Sequence, residues 1–344
     1  MYSGNTPSRL NKEHFKGTVN WISSGELKEH YIYSSKEQIS EEAAKSLKLL
    51  PVGTFVIAIY GLEAEGVRGT GSITQEPSTI SQACMSFIPK GVIENEFLYS
   101  WYKKHGNVIG IRYAQGTKQQ NLSYDILEKF RIAYPNTKEQ EKLNKFISLL
   151  DERIATQSKI IDKLQTLIKG IAHKVSKQGK PNIRLSECLL CTSSTLQESD
   201  VAEVGAYPVY GANGIVGYLD TYNTTSEAIY IIKDGSGVGA VSCVKGKCSA
   251  TGTLNILQTK EGFSLRYLYF ILKVFSFEPY KTGMAIPHIY FKDYGKAKIY
   301  CPSNQLQCKY ADLLSKIEQK ATAEQKILDN LCSQKQYLLC QMFI

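Results

Sequence analysis

Several features that would assign this chain of 344 residues to a familiar class are missing from it. No apolar run approaches the roughly 18–20 residues that a membrane-spanning helix requires, and the opening residues, MYSGNTPSRLNKEHF, contain no apolar signal-peptide core. The nine cysteines are odd in number and follow no disulfide-framework spacing. These absences predict a protein of the reducing cytoplasm that has no membrane contact.

Catalytic and metal-binding motifs are missing as well. The sequence contains none of the patterns GxxxxGKS, GxxxxGKT, GxSxG and HExxH, and its five histidines follow no catalytic or metal-ligand spacing. Cys188 and Cys191 form a CxxC pair, but Cys243 and Cys248, which would have to complete a zinc tetrad, are more widely spaced. We therefore predict no metal site and no enzymatic active site in this chain.

A glycine cluster, DGSGVGAVS, follows the strand-like run AIYIIK and imitates a dinucleotide-binding fingerprint. Such a fingerprint requires a helix directly after the glycines, because the helix N-terminus holds the pyrophosphate. The residues that follow, VSCVKGKCSATG, predict a strand and a turn instead. A tight hairpin is the favoured interpretation, and a nucleotide-binding enzyme that uses Gly235–Gly239 is the alternative.

The composition describes a globular protein that is long enough for two cores. Hydrophobic residues make up 43% and charged residues 21% of the chain, and 344 residues exceed the length of one ordinary domain. Against 41 lysines and arginines stand 32 aspartates and glutamates, so the formal net charge is +9. This surplus favours an acidic partner, with nucleic acid first among the candidates.

Two stretches of the sequence repeat each other. RIAYPNTKEQEKLNKFISLLDERIATQ begins at Arg131, and KIYCPSNQLQCKYADLLSKIEQKATAEQ begins at Lys298. At an offset of 167 residues and without a gap, identical residues recur at Gly116 and Gly283, Pro135 and Pro302, and Gln140 and Gln307. A repeat of this length fixes the architecture as a tandem pair, in which each unit is a mixed domain followed by a helix.

A strict heptad pattern follows each proline. Apolar residues alternate steps of four and three over more than four heptads of the first helix, which is typical of a coiled-coil seam. Both seams carry a polar residue at the equivalent site, Gln157 and Glu324, which lowers stability but fixes register. Residues 137–175 would form about 58 Å of helix. We predict an antiparallel coiled coil that pairs through Leu143, Ile147, Leu150, Ile154, Ile161, Leu164, Leu314, Ile317, Leu328 and Leu331.

The regions before the two helices alternate β-branched and aromatic runs with glycine-rich turns. GTFVIAIYG in the first half and AIYIIK in the second are strand-like, and a short helical stretch follows in each half. We therefore predict an α+β fold with a twisted, mostly antiparallel sheet in each domain. The predicted boundaries are 1–135 and 180–302 for the two domains, and 136–179 and 303–344 for the two helices.

The helix sequence PNTKEQEKLNKFISLLDERIATQSKIIDKL and four segments of the two domains occur in a specific order. The four segments are GTFVIAIYG, GTKQQNLS, YPVYGANGIVGYLD and KDGSGVG. Together they resemble the specificity subunits of type I restriction-modification systems, in which target recognition domains alternate with conserved helices. The resemblance covers nearly the whole chain. It implies that 1–135 and 180–302 are target recognition domains and that 136–179 and 303–344 are conserved spacer helices.

The resemblance further implies a non-catalytic DNA-binding subunit. Each recognition domain would read one half of a bipartite target in double-stranded DNA, and the paired helices would set the gap between the halves. Modification subunits with S-adenosylmethionine would methylate the target, and restriction subunits with ATP and Mg would cleave DNA, so no cofactor is expected on this chain. One departure from the family pattern is that nothing before Met1 corresponds to residues 180–190, which introduce the second domain, so either the first domain lacks this opening element or the chain starts late.

Candidate DNA contacts follow from residue type, because lysine and arginine contact phosphates whereas arginine, lysine, asparagine and glutamine read base edges. In the first domain the predicted contacts are Arg68, Lys118, Gln119, Gln120 and Asn121. In the second domain they are Asn213, Lys233, Lys245, Lys247 and His288, with Tyr210 and Tyr290 against the sugar–phosphate wall. A coiled-coil adaptor whose α+β domains bind protein is the remaining alternative.

Overall fold

A computed structural model describes residues 1–235, 237–283 and 286–343 of the chain. The chain folds into two compact units: unit 1 comprises Met1–Thr156 and Leu328–Ile344, and unit 2 comprises Gln157–Ile327. Both boundaries fall inside long helices, so each unit contains one globular domain, the N-terminal half of the helix that follows it, and the C-terminal half of the other long helix. In the described residues, no helix combines the length and the apolar character of a membrane span.

Unit 1 is built on two sheets. The first has the strand order β1 (Tyr2–Ser3), β8 (Cys84–Phe87), β5 (Phe55–Ala58), β6 (Gly71–Thr74) and β3 (Tyr31–Ile32), and the second has the order β4 (Gln38–Ile39), β2 (Val19–Ile22) and β7 (Ser78–Ile80). Neighbouring strands are antiparallel except in the pairs β3–β6 and β2–β7. The helices of this domain are α1 (Glu41–Lys45), α2 (Asn95–Tyr113) and α3 (Tyr124–Leu127).

The core of unit 1 forms where α2 packs on the larger sheet. The central strand β5, FVIA, is apolar and buried along its whole length, as expected of a strand that is covered on both faces. The side chains of Phe97, Trp101 and Ile109 on α2 are buried in the same cluster as Phe55 and Ile57 of β5. Large aromatic side chains dominate this contact, and their burial is a principal source of its stability.

Unit 2 has a related arrangement of strands. A four-stranded antiparallel sheet has the order β10 (Leu189–Ser193), β16 (Leu254–Thr259), β13 (Ala228–Ile232) and β14 (Val241–Val244). A second sheet has the order β12 (Gly214–Leu219), β11 (Tyr207–Gly211) and β15 (Ser249–Ala250), with β11 and β15 parallel. Its helices are α5 (Leu185–Cys188), α6 (Leu265–Val274) and α7 (Phe291–Tyr294). The α+β fold predicted from the sequence is confirmed in both units.

Unit 2 opens with an element for which unit 1 shows no counterpart in its described residues. The strand β9 (Ile183–Arg184) pairs antiparallel with β17 (Lys298–Ile299), and α5, which follows β9 directly, buries Leu185 and Cys188 in the core. Residues 131–132 of unit 1 correspond to β17 at the 167-residue offset, and they carry no strand. The two domains therefore have related sheets and a central helix, but they differ at this edge and in the additional strand β3 of unit 1.

The two long helices run antiparallel to each other. They are α4 (Thr137–Ser176, 40 residues) and α8 (Asn304–Met342, 39 residues). In unit 2, Gln157 donates from Nε2 to the carboxylate of Glu324, and the hydroxyl of Tyr310 donates to Gln178, just beyond α4, at 2.6 Å. Residue numbers rise along α4 while those of the partners in α8 fall. The antiparallel coiled coil predicted from the sequence is therefore confirmed.

The predicted seam positions lie on the inner face of the helix pair. All ten are buried or half-buried, and Ile147, Ile161, Leu314 and Leu331 are buried most completely. Lys335 occupies a seam position of α8 in unit 1, where its ammonium group pairs with the carboxylate of Asp151. This ion pair gives the charged side chain a partner at a position that the heptad pattern reserves for apolar residues.

A buried glutamine fixes the start of each long helix. Gln140 donates from Nε2 to the carbonyl oxygens of Pro135 (2.9 Å) and Val92 (3.1 Å), and its Oε1 accepts from the backbone N–H of Glu94 (2.9 Å). Its counterpart at the 167-residue offset, Gln307, is also buried. These side chains tie the helix to the domain that precedes it, because they satisfy backbone groups that the helix and the neighbouring loop leave unpaired.

Candidate nucleic-acid interface

Two loops of unit 1 meet beyond the C-terminal end of β5. The first loop follows β5 directly, and the second follows α2. Backbone hydrogen bonds join them, from Leu122 N–H to Ile59 O (2.8 Å) and from Leu62 N–H to Gln120 O (3.1 Å). The second loop closes on itself, since Gln115 and Asn121 exchange backbone bonds of 2.9 and 2.8 Å. We call residues 59–62 and 115–122 the loop frame of unit 1.

Glycine is required at two places around this frame. Gly116 has φ 111°, a left-handed conformation, and a Cβ atom at this position would lie 2.0 Å from the carbonyl oxygen of Gln119. Gly110 on α2 allows a close approach, because a Cβ there would lie 2.6 Å from Cγ of Arg68. The side chain of Arg68 therefore crosses α2 at a point where only glycine leaves room for it.

Two of the predicted DNA contacts of unit 1, Arg68 and Gln120, bind each other. Nη2 of Arg68 donates to Oε1 of Gln120 at 2.8 Å. The backbone N–H of Gln120 donates to Oε2 of Glu63 at 2.7 Å, and this hydrogen bond lowers the pKa of the Glu63 carboxyl below its usual value. These contacts hold the first loop against the second, so Gln120 has a structural partner before any ligand arrives.

The other predicted contacts of unit 1 are more accessible. Lys118 and Gln119 are exposed, and Asn121 is half-buried. Within the described part of the chain, the Oδ1 atom of Asn121 is buried and accepts no hydrogen bond. A cavity of about 380 Å³ lies beside it, lined among others by Tyr60, Gln115 and Gln119. Amide and phenol groups that line one open cavity are expected at a site that forms hydrogen bonds with the edges of DNA bases.

Unit 2 repeats the loop frame. Thr282 and His288 exchange backbone hydrogen bonds of 2.9 and 2.7 Å, and Ile289 N–H donates to Lys233 O at 2.9 Å. Gly283 stands where unit 1 has Gly116: its φ is 89°, and a Cβ there would lie 2.3 Å from Ile286 O. We call residues 233–235, 282–283 and 286–289 the loop frame of unit 2.

His288 and Asp234 face each other across this second frame. Nδ1 of His288 lies 2.6 Å from Oδ1 of Asp234, and both side chains are about one-third exposed. The same two residues form an isolated antiparallel bridge, as do Tyr60 and Asn121 in unit 1. The two frames therefore share a backbone arrangement and present different side chains on it.

Lys245 and Lys247 lie at the opposite end of β13 from Lys233. Val244 pairs with Ala228 at the start of β13, so the turn that carries both lysines lies beyond that end. The five residues of β13 span about 17 Å. Lys245 lies 3.7 Å from Glu227, and Lys247 lies 4.8 Å from the ring centre of Tyr222. The structure therefore does not bring these two lysines together with Lys233 and His288.

The remaining predicted contacts of unit 2 differ in their exposure. Asn213 is exposed in the turn between β11 and β12, and Tyr290, directly after the loop frame, is 47% exposed. Tyr210 is half-buried, with its ring edge-on to Tyr230 at 5.8 Å, and burial raises the pKa of its hydroxyl. Tyr210 therefore supports the core of unit 2, whereas Tyr290 is accessible to a ligand beside His288.

The glycine cluster 235–239 lacks the local structure of a dinucleotide site. Val238 N–H donates to Gly235 O at 3.2 Å, which closes a turn, and the strand β14 follows. Ser236 within the cluster lies outside the described residues. Since a pyrophosphate site of this type needs a helix after the glycines, the nucleotide-binding alternative is disfavoured. In the described ranges, no group of three or more His, Cys, Asp or Glu side chains is placed to hold a metal ion.

Sequence reasoning missed three residues of these frames: Tyr60, Glu63 and Asp234. Tyr60 and Asp234 each precede a glycine in the left-handed conformation, Gly61 (φ 75°) and Gly235 (φ 92°). A residue between a buried strand and such a glycine stands where a loop begins, and loops carry most binding residues. In the sequence, a glycine follows the strand-like run in each half, in IAIYG and in YIIKDG. The residue before that glycine is Tyr60 in the first half and Asp234 in the second.

The chain belongs to the family of the type I restriction modification DNA specificity domain. The model of this domain matches residues 2–166 and 188–332, which correspond to the two halves of the repeat. A crystal structure of the S subunit of a type I restriction-modification system from M. genitalium has the same fold. Its TM-score is 0.65 at 20% sequence identity, over 100% of this chain and 93% of that one.

Two curated relatives carry names from the same family. The chain is 30% identical over 170 residues to the type I restriction enzyme MjaIX specificity subunit of Methanocaldococcus jannaschii, over 47% of this chain and 38% of that protein. It is 28% identical over 182 residues to the type I restriction enzyme EcoR124I/EcoR124II specificity subunit of Escherichia coli, over 52% and 41% respectively. The matched segments therefore span only about two fifths of these relatives.

Proposed function

We propose that this chain is the DNA specificity subunit of a type I restriction-modification enzyme. Each unit reads one half of a bipartite target in double-stranded DNA, and the chain itself carries out no catalysis. Three facts support the proposal: membership of the specificity-domain family, a net charge of +9, and two units that present similar loops. Basic and amide side chains of this kind serve phosphate contact and base reading, respectively.

The observation that carries the proposal is the repeated loop frame with unlike side chains. An identical pair of surfaces would bind two identical half-sites, as symmetric DNA-binding dimers do. Here the bridge residues are Tyr60 and Asn121 in one frame and Asp234 and His288 in the other. Two similar scaffolds with different readers suit a target whose two halves differ in sequence.

The proposal includes partner subunits that act on the DNA. Modification subunits that bind S-adenosylmethionine would dock along the helices and adjoining domains and methylate the target. Restriction subunits that use ATP and Mg would cleave DNA. The names of the two curated relatives, both specificity subunits of restriction enzymes, support the existence of such partners for this chain.

Mapping of modified bases tests the proposal directly. The chain is co-expressed with its modification subunit in a host that lacks other methyltransferases, and methylated positions are located across the genome. We expect two unlike half-sites separated by a constant gap. Scattered methylation, or methylation that persists when this chain is omitted, would defeat the proposal.

Calorimetric titration of the chain with dinucleotides tests the alternative that the chain is a nucleotide-binding enzyme. We expect no heat of binding.

Replacement of Lys118 by glutamine is expected to weaken DNA binding without a change of target. Lys118 is exposed on the loop frame of unit 1, and a lysine that neutralises one phosphate contributes about 0.9 to the slope of log affinity against log salt. The slope should fall by about that amount, and binding to unrelated duplexes should weaken equally. The measurement is fluorescence anisotropy of the complex with labelled duplexes at several salt concentrations.

Lys90→Gln is the matched control for this measurement. Lys90 is also exposed in unit 1, but it follows β8 beyond the end of the sheet opposite the loop frame, since Phe87 pairs with Phe55. We expect its salt slope to equal that of the unaltered protein. If both variants and the unaltered protein have equal salt slopes, Lys118 does not contact DNA. If DNA binding shows no salt dependence at all, the protein-adaptor alternative is favoured.

A further inference from the structure

We propose that the bridge residues of the loop frames, Tyr60 with Asn121 and Asp234 with His288, determine which bases each unit accepts. This inference rests on the proposed function and goes beyond it, because it assigns base selection to one position in each unit. The two frames share a backbone arrangement, their bridge side chains make different hydrogen bonds, and each set of side chains matches particular base edges.

The backbone at the bridge is held independently of the side chains. In unit 1, Asn121 exchanges both backbone bonds with Gln115, and Leu122 N–H donates to Ile59 O. In unit 2, the backbone of His288 makes the same exchange with Thr282. The next residues, Leu122 and Ile289, are completely buried and anchor the loops. Since the backbone and its apolar anchors already fix the frames, the bridge side chains are free to differ without loss of the fold.

In unit 1 the bridge presents an amide with spare hydrogen-bonding capacity. Gln120, the neighbour of Asn121, is committed to Arg68 at 2.8 Å. Asn121 lines the cavity of about 380 Å³ together with Tyr60, and its buried Oδ1 accepts no hydrogen bond within the described residues. A buried acceptor without a partner is unfavourable until a ligand supplies a donor. An amide pairs with the N6 and N7 edge of adenine through two hydrogen bonds, so unit 1 is suited to an adenine at this position.

In unit 2 the bridge presents an imidazole with a fixed orientation. A carboxylate accepts a hydrogen bond from an imidazole N–H, so Asp234 at 2.6 Å holds the proton of His288 on Nδ1. The other ring nitrogen, Nε2, is then an acceptor in the neutral ring and a donor in the protonated ring. An acceptor at this position suits an exposed amino group in the major groove, as on cytosine N4 or adenine N6, whereas a donor suits the acceptor atoms O6 and N7 of guanine.

Exchange of the bridge residues between units tests the inference. One variant carries Tyr60→Asp and Asn121→His, and the other carries Asp234→Tyr and His288→Asn. Each is co-expressed with the modification subunit, and the methylated sequences are mapped. We expect the first variant to change the base preference at one or two positions of one half-site only, by about 10- to 100-fold. The second variant should change the opposite half-site, and both should leave the gap unchanged.

Single substitutions test the inference even if the exchange variants fail to assemble with the modification subunit. Asn121→Ala and His288→Ala remove the reading groups and should relax the preference at one position in one half-site. Glu65→Gln, an exposed change on the first loop of unit 1, is the control and should leave the motif intact. All variants are also compared as purified complexes in competition binding with duplexes that are substituted one base pair at a time.

The outcomes separate the inference from the proposed function. An unchanged motif and unchanged discrimination in both the exchange and the alanine variants would overturn the inference and leave the proposed function standing. If the exchange variants do not methylate DNA, the competition binding of the alanine variants provides the test. Loss of base discrimination at one position of the target supports the inference, and an equal loss at all positions overturns it. Absence of a bipartite motif with the unaltered chain would overturn the proposed function itself.

Discussion

Replacement of Gln140 by leucine is expected to destabilise unit 1 strongly. The substitution leaves the carbonyl oxygens of Pro135 and Val92 and the backbone N–H of Glu94 without the partner that Gln140 provides. An orphaned buried polar group costs about 1–3 kcal/mol, and partial access of water reduces the total, so we expect a loss of roughly 2–4 kcal/mol. Because the only two tryptophans, Trp21 and Trp101, both lie in unit 1, tryptophan fluorescence during thermal unfolding measures this loss selectively.

The second copy of the repeat provides a matched variant. Gln307 donates to the carbonyl of Pro302 at 2.9 Å and accepts from the N–H of Ser264 at 3.0 Å, all within unit 2. Gln307→Leu should therefore lower the unfolding midpoint seen by circular dichroism more than that seen by tryptophan fluorescence. Glu141→Gln, an exposed neighbour on α4, is the control. A fluorescence midpoint that stays constant in Gln140→Leu would show that the glutamine is dispensable.

Insertion of one heptad into each long helix is expected to lengthen the gap of the DNA target and leave both half-sites unchanged. One insertion follows Gln157 in α4, and the other precedes Glu324 in α8. Seven residues preserve the seam, and they add about 10.5 Å of helix, which corresponds to at most about three base pairs at 3.4 Å each. Methylation of the original target should be lost, and mapping of modified bases should recover the same half-sites at the longer gap.

A single insertion is the control for the paired one. A heptad added to α4 alone places every later seam residue against the wrong partner in α8, so we expect loss of methylation at any gap. A changed half-site sequence in the double-insertion protein would contradict the spacer role of the helices. An unchanged gap would show that something other than helix length separates the half-sites.

The helices were predictable because their determinants are local in sequence. A heptad pattern needs no knowledge of distant contacts, and the fixed offset of 167 residues identified the second copy. The antiparallel pairing followed because a whole domain separates the two helices. The role of Gln140 did not follow, because its partners Val92 and Glu94 precede it by 48 and 46 residues in the chain. Long-range hydrogen bonds of this kind leave no periodic signal.

The loops of the candidate interface were predictable from the sequence, but the contacts between them were not. Glycine and amide clusters indicated a loop at 116–121, and the structure has a loop there, whereas the bridges to Tyr60 and Asp234 depend on contacts between distant segments. Lys245 and Lys247 show a different difficulty. They are close to Lys233 in sequence, but the antiparallel β13–β14 pair carries the chain back to the start of β13. Because a hairpin returns the chain in this way, Lys233 near the turn and Lys245 after the returning strand lie at opposite ends of the strand pair.

The contact between Gln157 and Glu324 restricts which helices associate. The two residues are 167 positions apart in the chain, which is the offset of the repeat. They therefore occupy equivalent positions of the two helices, and they contact each other. If the two halves of the protein were produced as separate chains, two copies of the second half could pair only by placing one Glu324 carboxylate against another, and the like charges would repel. The mixed combination brings an amide to the carboxylate instead. Separately produced second halves should therefore associate with first halves in preference to other second halves.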